Sequence, residues 1–226
     1  MKILIIKLGA LGDVIMSTPI IKRISEHHQG DNIYLLTSQA YVGLFQDWRI
    51  KLQIMPISRS GPLLLWRSIN TIRSQKFDRC YDLQSNDRTS LICALSNIPV
   101  RAGNHPRFPY HMHPRGKYVG QCHSQERLKQ ILSSAGIEPS DEPPYLPVSD
   151  SSREKVAAWL KQNNLLEKQF VVMHAGASAK HPQKRWPYYQ QLAIELQKSG
   201  LKPIWAGGKE DSDINKQLST SIGIDL

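Results

Sequence analysis

A short apolar run that breaks into two glycines and an aspartate opens the chain: Met1-Lys-Ile-Leu-Ile-Ile-Lys7-Leu-Gly9-Ala-Leu-Gly12-Asp13-Val-Ile-Met-Ser-Thr-Pro19. Ile3 to Ile6 is too short for a helix and rich in β-branched residues, so it reads as a strand buried on both faces, as in a parallel sheet. Beyond Asp13 the apolar residues change period. Val14, Met16 or Ser17, Ile20, Ile21 and Ile24 recur at helical spacing. Strand, glycine turn, helix is the opening of a doubly wound α/β domain.

In such sheets ligands lie beyond the carboxyl ends of the strands, which is where Gly9, Gly12 and Asp13 fall. The glycines allow positive φ and a close backbone approach to a bound molecule. Asp13 has two roles open to it. It stands at or near the N-cap of the helix, where a carboxylate accepts backbone N–H groups. It is also placed to act as a general base on a substrate hydroxyl. The spacing Gly-x-x-Gly-Asp is neither the dinucleotide fingerprint nor a P-loop.

The alternation of strand and helix continues. Strands are expected at Asn32 to Thr37, Leu52 to Ile57, Phe77 to Leu83 and Ile98 to Arg101. Between them lie a short helix from Ser38 to Phe45, a helix from Leu63 to Ser74, and one capped by Asn86 or Asp87 with Leu91, Ile92 and Leu95 inward. Asn104 to Tyr118 has no period and reads as an exposed basic loop with His105, Arg107, His111, His113, Arg115 and Lys117. Its His-Met-His run lacks further metal-ligand spacing. An amphipathic helix from Ser124 to Ala135 stops at Gly136. Pro139, Pro143, Pro144 and Pro147 then mark a linker, dividing the chain into residues 1–148 and 149–226. After it come a helix capped by Ser151 or Ser152, a strand at Gln169 to His174, a small-residue turn Ala175 to Ser178, a helix with Pro187 at its first position, a strand at Pro203 to Ala206, and a last helix from Asp211 or Ser212. The second unit is smaller than a free-standing domain of this kind, which needs about 100 residues.

The 226 residues are 40% apolar, enough for a core. No run reaches the ~18 apolar residues of a membrane span, and no signal-peptide pattern follows the first strand, so a cytoplasmic protein is expected. The three cysteines Cys80, Cys93 and Cys122 have no redox or metal spacing and are expected to be reduced, the first two in the core. A net charge of +10 suits polyanions or phosphorylated substrates. There is no basic helix or aromatic platform of the kind that binds nucleic acid.

Four segments, taken in order, resemble one family. The stretch from Lys7 to Pro19, the run Tyr81-Asp82-Leu83-Gln84, the segment His123-Ser-Gln-Glu126-Arg127-Leu with Gly136-Ile, and His174-Ala-Gly176-Ala-Ser178 followed by Lys184-Arg185-Trp186-Pro187 are similar to signatures of the bacterial heptosyltransferases, glycosyltransferase family 9. The resemblance implies a GT-B-type α/β fold of two Rossmann-like domains, the second incomplete here, with acceptor on the first and nucleotide-sugar donor on the second. It implies an inverting transfer, with no metal and no cofactor, of a heptose from ADP-heptose to a phosphorylated lipopolysaccharide inner-core acceptor. Transient contact with the cytoplasmic membrane surface and no nucleic-acid partner go with that function.

By the same resemblance Asp13 is the catalytic base. Gly176, Ala177, Ser178, Lys184 and Arg185 hold the donor phosphates, and Glu210 the donor ribose. Gly9, Gly12, Arg88, Arg101 and Arg107, with Arg115 beside them, face the acceptor. Trp186 and Pro187 are expected to pack the helix start. Family members continue for roughly another hundred residues, through a donor-contacting Gly-Asn-Asp-Thr-Gly-Pro-like loop that these residues do not include, which leads to the expectation of a truncated chain with weak or no transfer. Two other readings stay open at this level: the same family with another sugar or acceptor, and a non-catalytic remnant that binds anionic glycolipid or nucleotide.

Overall fold

The computed structural model describes residues 1–57, 61–104, 108–115, 123–166, 169–178 and 181–226. The chain divides into two compact units, Met1–Val148 and Ser149–Leu226.

The first unit is a five-stranded parallel sheet in the order β3-β2-β1-β4-β5, built from β1 (Lys2–Ile6), β2 (Asn32–Ser38), β3 (Leu52–Ile57), β4 (Arg79–Asp82) and β5 (Val100–Ala102). The opening strand is central, paired with β2 through Ile3↔Ile33 and with β4 through Ile3↔Arg79. That explains its unbroken apolar run, because helices cover both faces. Ile3 and Ile5 pack with Ile20, Ile21 and Ile24 of α2 (Thr18–His27) and Leu128, Ile131 and Leu132 of α5 (Ser124–Ser134). Leu4 and Ile6 pack on the other face with Ile69 and Ile72 of α3 (Pro62–Gln75) and Ile92 and Cys93 of α4 (Asp87–Leu95). Burying a side chain of this size stabilises by about 1.5–3 kcal/mol. Strand β3 carries Pro56 without penalty to a ladder because it is an edge.

Several local expectations are corrected. The helix after β1 is broken at Ser17 into α1 (Leu11–Met16) and α2, with Pro19 in the first turn of the latter. Asp13 is the third residue of α1, next to the cap Ala10, and its carboxylate accepts the Ala10 N–H as its place near the N-cap implied. Leu91 points outward at 45% exposure, while its neighbours Ile92 and Cys93 are buried. The basic loop is not exposed throughout. Tyr110 is buried, its ring so close to Gly103 that a Cβ there would lie 2.5 Å from it. Met112 bridges to Ala102. Cys80 and Cys93 are free and buried, with their sulfurs 3.8 Å apart. His105, Arg107, Lys117 and Cys122 lie outside the described residues.

The proline-rich segment is fastened to the first unit. Lys22 pairs with Glu142 at 2.6 Å, Arg23 donates to the Glu138 carbonyl at 3.1 Å, and Tyr145 N–H donates to Thr18 Oγ1 at 3.0 Å.

The second unit holds a three-stranded parallel sheet in the order β6-β7-β8 (Phe170–Met173, Lys202–Trp205, Ile224–Asp225) with α6 (Asp150–Gln162), α7 (Tyr189–Lys198) and α8 (Ser212–Ser221). Strand β8 was not foreseen from sequence; two residues carry no period. Trp205 is fully buried and donates Nε1–H to the Ile222 carbonyl at 2.7 Å, which fixes the return of the chain into β8. Helix α6 is capped by Ser149 rather than by a later serine, and it buries no residue. Pro187 precedes α7 and its cap Tyr188, so it is outside the helix and not at its first position. Trp186 does pack at that entry, edge-on to the rings of Tyr188 and Tyr189. No helix among the described residues is long and apolar enough to cross a membrane.

Candidate active site

With strand order 3-2-1-4-5, the sheet reverses its winding between β1 and β4. In such folds the ligand crevice opens at that point, outside the carboxyl ends of the two strands. A cavity of about 200 Å³ is found there. Its lining comes from the segment after β1 (Lys7, Asp13, Met16), the segment after β4 (Leu83, Gln84, Ser85) and one face of α5 (Ser124, Arg127, Leu128, Ile131).

Three charged groups meet in this cavity. Asp13 is exposed, and its Oδ2 accepts from the Ala10 N–H at 3.3 Å. Lys7 is buried, with Nζ donating to the Leu83 carbonyl at 3.2 Å. Burial pushes the Lys7 ammonium below the ordinary lysine range. Asp13 and Asp82 pull it back up, and Arg127 adds to the depression. Arg127 reaches the cavity because positions 124, 127, 128 and 131 share a helix face.

Two of the lining residues, Gln84 and Ser85, are held by Asp82, the last residue of β4 and fully buried. Its Oδ1 accepts from the N–H groups of Gln84 (3.0 Å) and Ser85 (2.8 Å), and its Oδ2 accepts a very short hydrogen bond from the Tyr110 hydroxyl. Burial raises the Asp82 carboxyl above its usual range, and these donors counter it. The same burial, with the Asp82 charge beside it, drives the Tyr110 hydroxyl well above the ordinary tyrosine range. The Ser85 hydroxyl closes the turn onto the Asp82 carbonyl at 2.7 Å.

Gly9 has φ +141°, a conformation that favours glycine, and lies just before α1, which contains Gly12. Arg88 is half-buried in the first turn of α4. Arg101 holds the loop that follows β5: it donates to the carbonyls of Pro109 (2.5 Å) and Ile98 (2.8 Å) and sits over the Phe108 ring. Neither arginine lines the cavity beside Asp13. Arg115 lines a separate shallow groove with His111 and His113. Arg107 lies outside the described residues.

In the second unit, Gly176, Ala177 and Ser178 follow β6, and the Ser178 carbonyl accepts from the His181 N–H at 2.8 Å. Lys184 ends a short 3-10 turn, Pro182–Lys184, and it and Arg185 are exposed. Glu210 is exposed in another such turn, Lys209–Asp211, whereas its neighbour Asp211 is buried. The Asp211 Oδ2 accepts from the Gly208 N–H at 3.1 Å. A Cβ on Gly176 would lie 1.9 Å from Asp211 Oδ1, so the turns after β6 and β7 close on one another only because residue 176 has no side chain. Asp211, read from sequence as a candidate start of the last helix and found as its cap, and Arg127, quoted in a family segment, were not read as site residues. The helical register of α5 groups Arg127 with Ser124, Leu128 and Ile131, and the only sequence signal on Asp211 was that helix start.

A parallel 3-2-1-4-5 sheet, a second parallel α/β unit, and an acid–cation cavity at the winding reversal define an α/β protein of the Rossmann-like kind. The family model of glycosyltransferase family 9 (heptosyltransferase) matches residues 65–223. The chain belongs to that family and is a glycosyltransferase. Its fold is that of a family 9 glycosyl transferase from Veillonella parvula DSM 2008, with a TM-score of 0.80 at 18% identity over 99% of this chain and 68% of that one. E. coli ADP-heptose lps heptosyltransferase II aligns with a TM-score of 0.75 at 19% identity, over 100% of this chain and 72% of the other. E. coli heptosyltransferase WaaC, solved with ADP-2-deoxy-2-fluoro heptose, gives 0.70 at 16% identity, over 100% and 76%. A comparison with curated protein sequences gives no match.

Proposed function

We propose that this chain transfers a heptose from ADP-heptose to an anionic lipopolysaccharide inner-core acceptor at the cytoplasmic face of the membrane, with inversion and without a metal. The observation that carries this reading is the cavity at the winding reversal, where Asp13, Lys7 and Arg127 meet. Glycosyl transfer needs a base near a hydroxyl and cations near phosphate or carboxylate groups.

In this reading Lys7 and Arg127 hold the acceptor's anionic group, and Asp13 takes the proton of the attacking hydroxyl. The hydroxyl oxygen bonds to the anomeric carbon from the face opposite the diphosphate. The bond from that carbon to the diphosphate oxygen breaks, and the nucleoside diphosphate leaves with the electron pair. Lys184 and Arg185, with backbone N–H groups of Gly176 to Ser178, stabilise its growing charge. Glu210 is assigned to the donor ribose. Two solved structures of similar fold are named as heptosyltransferases, one of them bound to an ADP-heptose analogue, which supports this choice of sugar and nucleotide.

The test is Asp13→Asn. With radiolabelled ADP-heptose and a core acceptor, transfer by the unchanged chain sets the reference rate. A drop of about 10²–10⁴-fold is expected for the variant, the usual contribution of a general base, with ADP affinity unchanged within about twofold. Transfer by Asp13→Asn at the unchanged rate would remove Asp13 from the mechanism.

A further inference from the structure

Where β1 ends, its backbone runs out of sheet partners. Leu83 N–H still donates to the Ile6 carbonyl at 3.0 Å, and Lys7 N–H to the Leu36 carbonyl at 3.0 Å. The next two N–H groups, of Leu8 and Gly9, lie beyond the paired residues of β1. Both donate to one side-chain atom, Gln84 Oε1, at 3.0 and 3.1 Å. Two converging N–H donors require the amide oxygen there and not its nitrogen. The Lys7 ammonium adds a third tie, to the Leu83 carbonyl.

Gln84 is itself held from beneath. Its own N–H and that of Ser85 are bound by Asp82 Oδ1, and Ser85 takes φ +48°, outside the usual range for a residue with a side chain. The other Asp82 oxygen is tied to Tyr110, whose hydroxyl lies 3.1 Å from Ser90 Oγ on α4. A continuous series of hydrogen bonds thus runs from the core through Asp82 and Gln84 to residues 8 and 9. One residue later, the Ala10 N–H meets the Asp13 carboxylate.

We infer that Gln84 is a positioning residue for Asp13: its amide oxygen accepts from the N–H groups of both Leu8 and Gly9 and fixes the loop from which the carboxylate is aimed into the cavity. This rests on the reading of Asp13 as the base. Gln84 also lines that cavity, so the clamp and the reacting groups share one wall. Small displacements of a reacting group are costly. A shift of about 1 Å lowers a rate by up to about 100-fold.

The experiment compares Gln84→Met, which keeps length and removes the acceptor, with Gln84→Glu, which keeps an acceptor oxygen. Backbone amide exchange at Leu8 and Gly9 is read by NMR on each full chain, alongside transfer kinetics with ADP-heptose. Gln84→Met is expected to speed exchange at both amides roughly tenfold. It should lower kcat by about 10–100-fold with the donor KM unchanged within about twofold. Gln84→Glu is expected to restore the protection and most of kcat, which a loss of general packing would not explain. Unchanged exchange in Gln84→Met overturns the clamp. Faster exchange with an unchanged kcat overturns its role in aiming Asp13. The amide measurement needs no turnover, so it stands whether or not Asp13→Asn supports the transferase reading.

Discussion

Replacing Tyr110 by Phe removes the hydroxyl bonded to Asp82 and leaves the ring in place. The Asp82 carboxylate is fully buried and keeps its two backbone donors on Oδ1. Its Oδ2 loses the tyrosine hydroxyl, leaving the weak Cys93 thiol contact at 4.0 Å, with the Thr89 hydroxyl also acting on the carboxylate. A hydrogen bond to a charged group is worth about 1.5–3 kcal/mol, and full burial places this one toward the upper end. For a unit of this size each kcal/mol moves Tm by about 2–4 °C, so a drop of about 4–12 °C is expected. The effect has a sign in pH. Burial raises the Asp82 carboxyl in the fold. Such an acid contributes stability that is complete below its unfolded value of about 4 and is lost as pH rises toward the folded value. The Tyr110 hydroxyl holds that folded value down, so its removal lets it climb further. The deficit of Tyr110→Phe therefore grows from acid to neutral pH. Calorimetry at pH 4.5 and 7.5 measures it, with Ser90→Ala as the milder control at about 1 kcal/mol or less. A deficit under about 0.5 kcal/mol, or one equal at both pH values, would refute the account of Asp82 as a buried anion held by its donors.

Two glycines give further tests. Gly176→Ala forces the buried Asp211 carboxylate off its bond to the Gly208 N–H and is expected to cost about 2–4 kcal/mol, from overpacking and a lost hydrogen bond; urea denaturation checks it, with Gly176→Ala/Asp211→Ala recovering part of the loss. Gly103→Ala pushes a methyl against the Tyr110 ring and is expected to cost about 1–3 kcal/mol, read as a lower urea midpoint.

The sheet of the first unit was legible because its physics is local. A central parallel strand is apolar on both faces, so Ile3 to Ile6 announces itself, and an edge strand tolerates Pro56. Cys80 on β4 and Cys93 on α4 are buried as read. The remaining features depend on contacts between distant residues. Tyr110 sits in a segment with no period, and its partner Asp82 lies 28 residues away. The task of Gln84 was invisible because its partners, Leu8 and Gly9, lie far from it in the chain. The resemblance put Arg101 on the acceptor face, and its contacts to the carbonyls of Pro109 and Ile98 came only with the fold. Arg127 reads as one more charge on an amphipathic helix until α5 is laid beside β1 and β4. In the turn after β7, one position separates the exposed Glu210 from the buried Asp211, and only the backbone path of a 3-10 turn decides which goes inward.

The most direct measurement is a structure of this protein soaked with a core acceptor sugar. The account predicts the sugar in the cavity at the winding reversal, one hydroxyl about 2.6–3.2 Å from the Asp13 carboxylate and its anionic group on Lys7 and Arg127. A sugar bound elsewhere, or one that turns no hydroxyl toward Asp13, would contradict it.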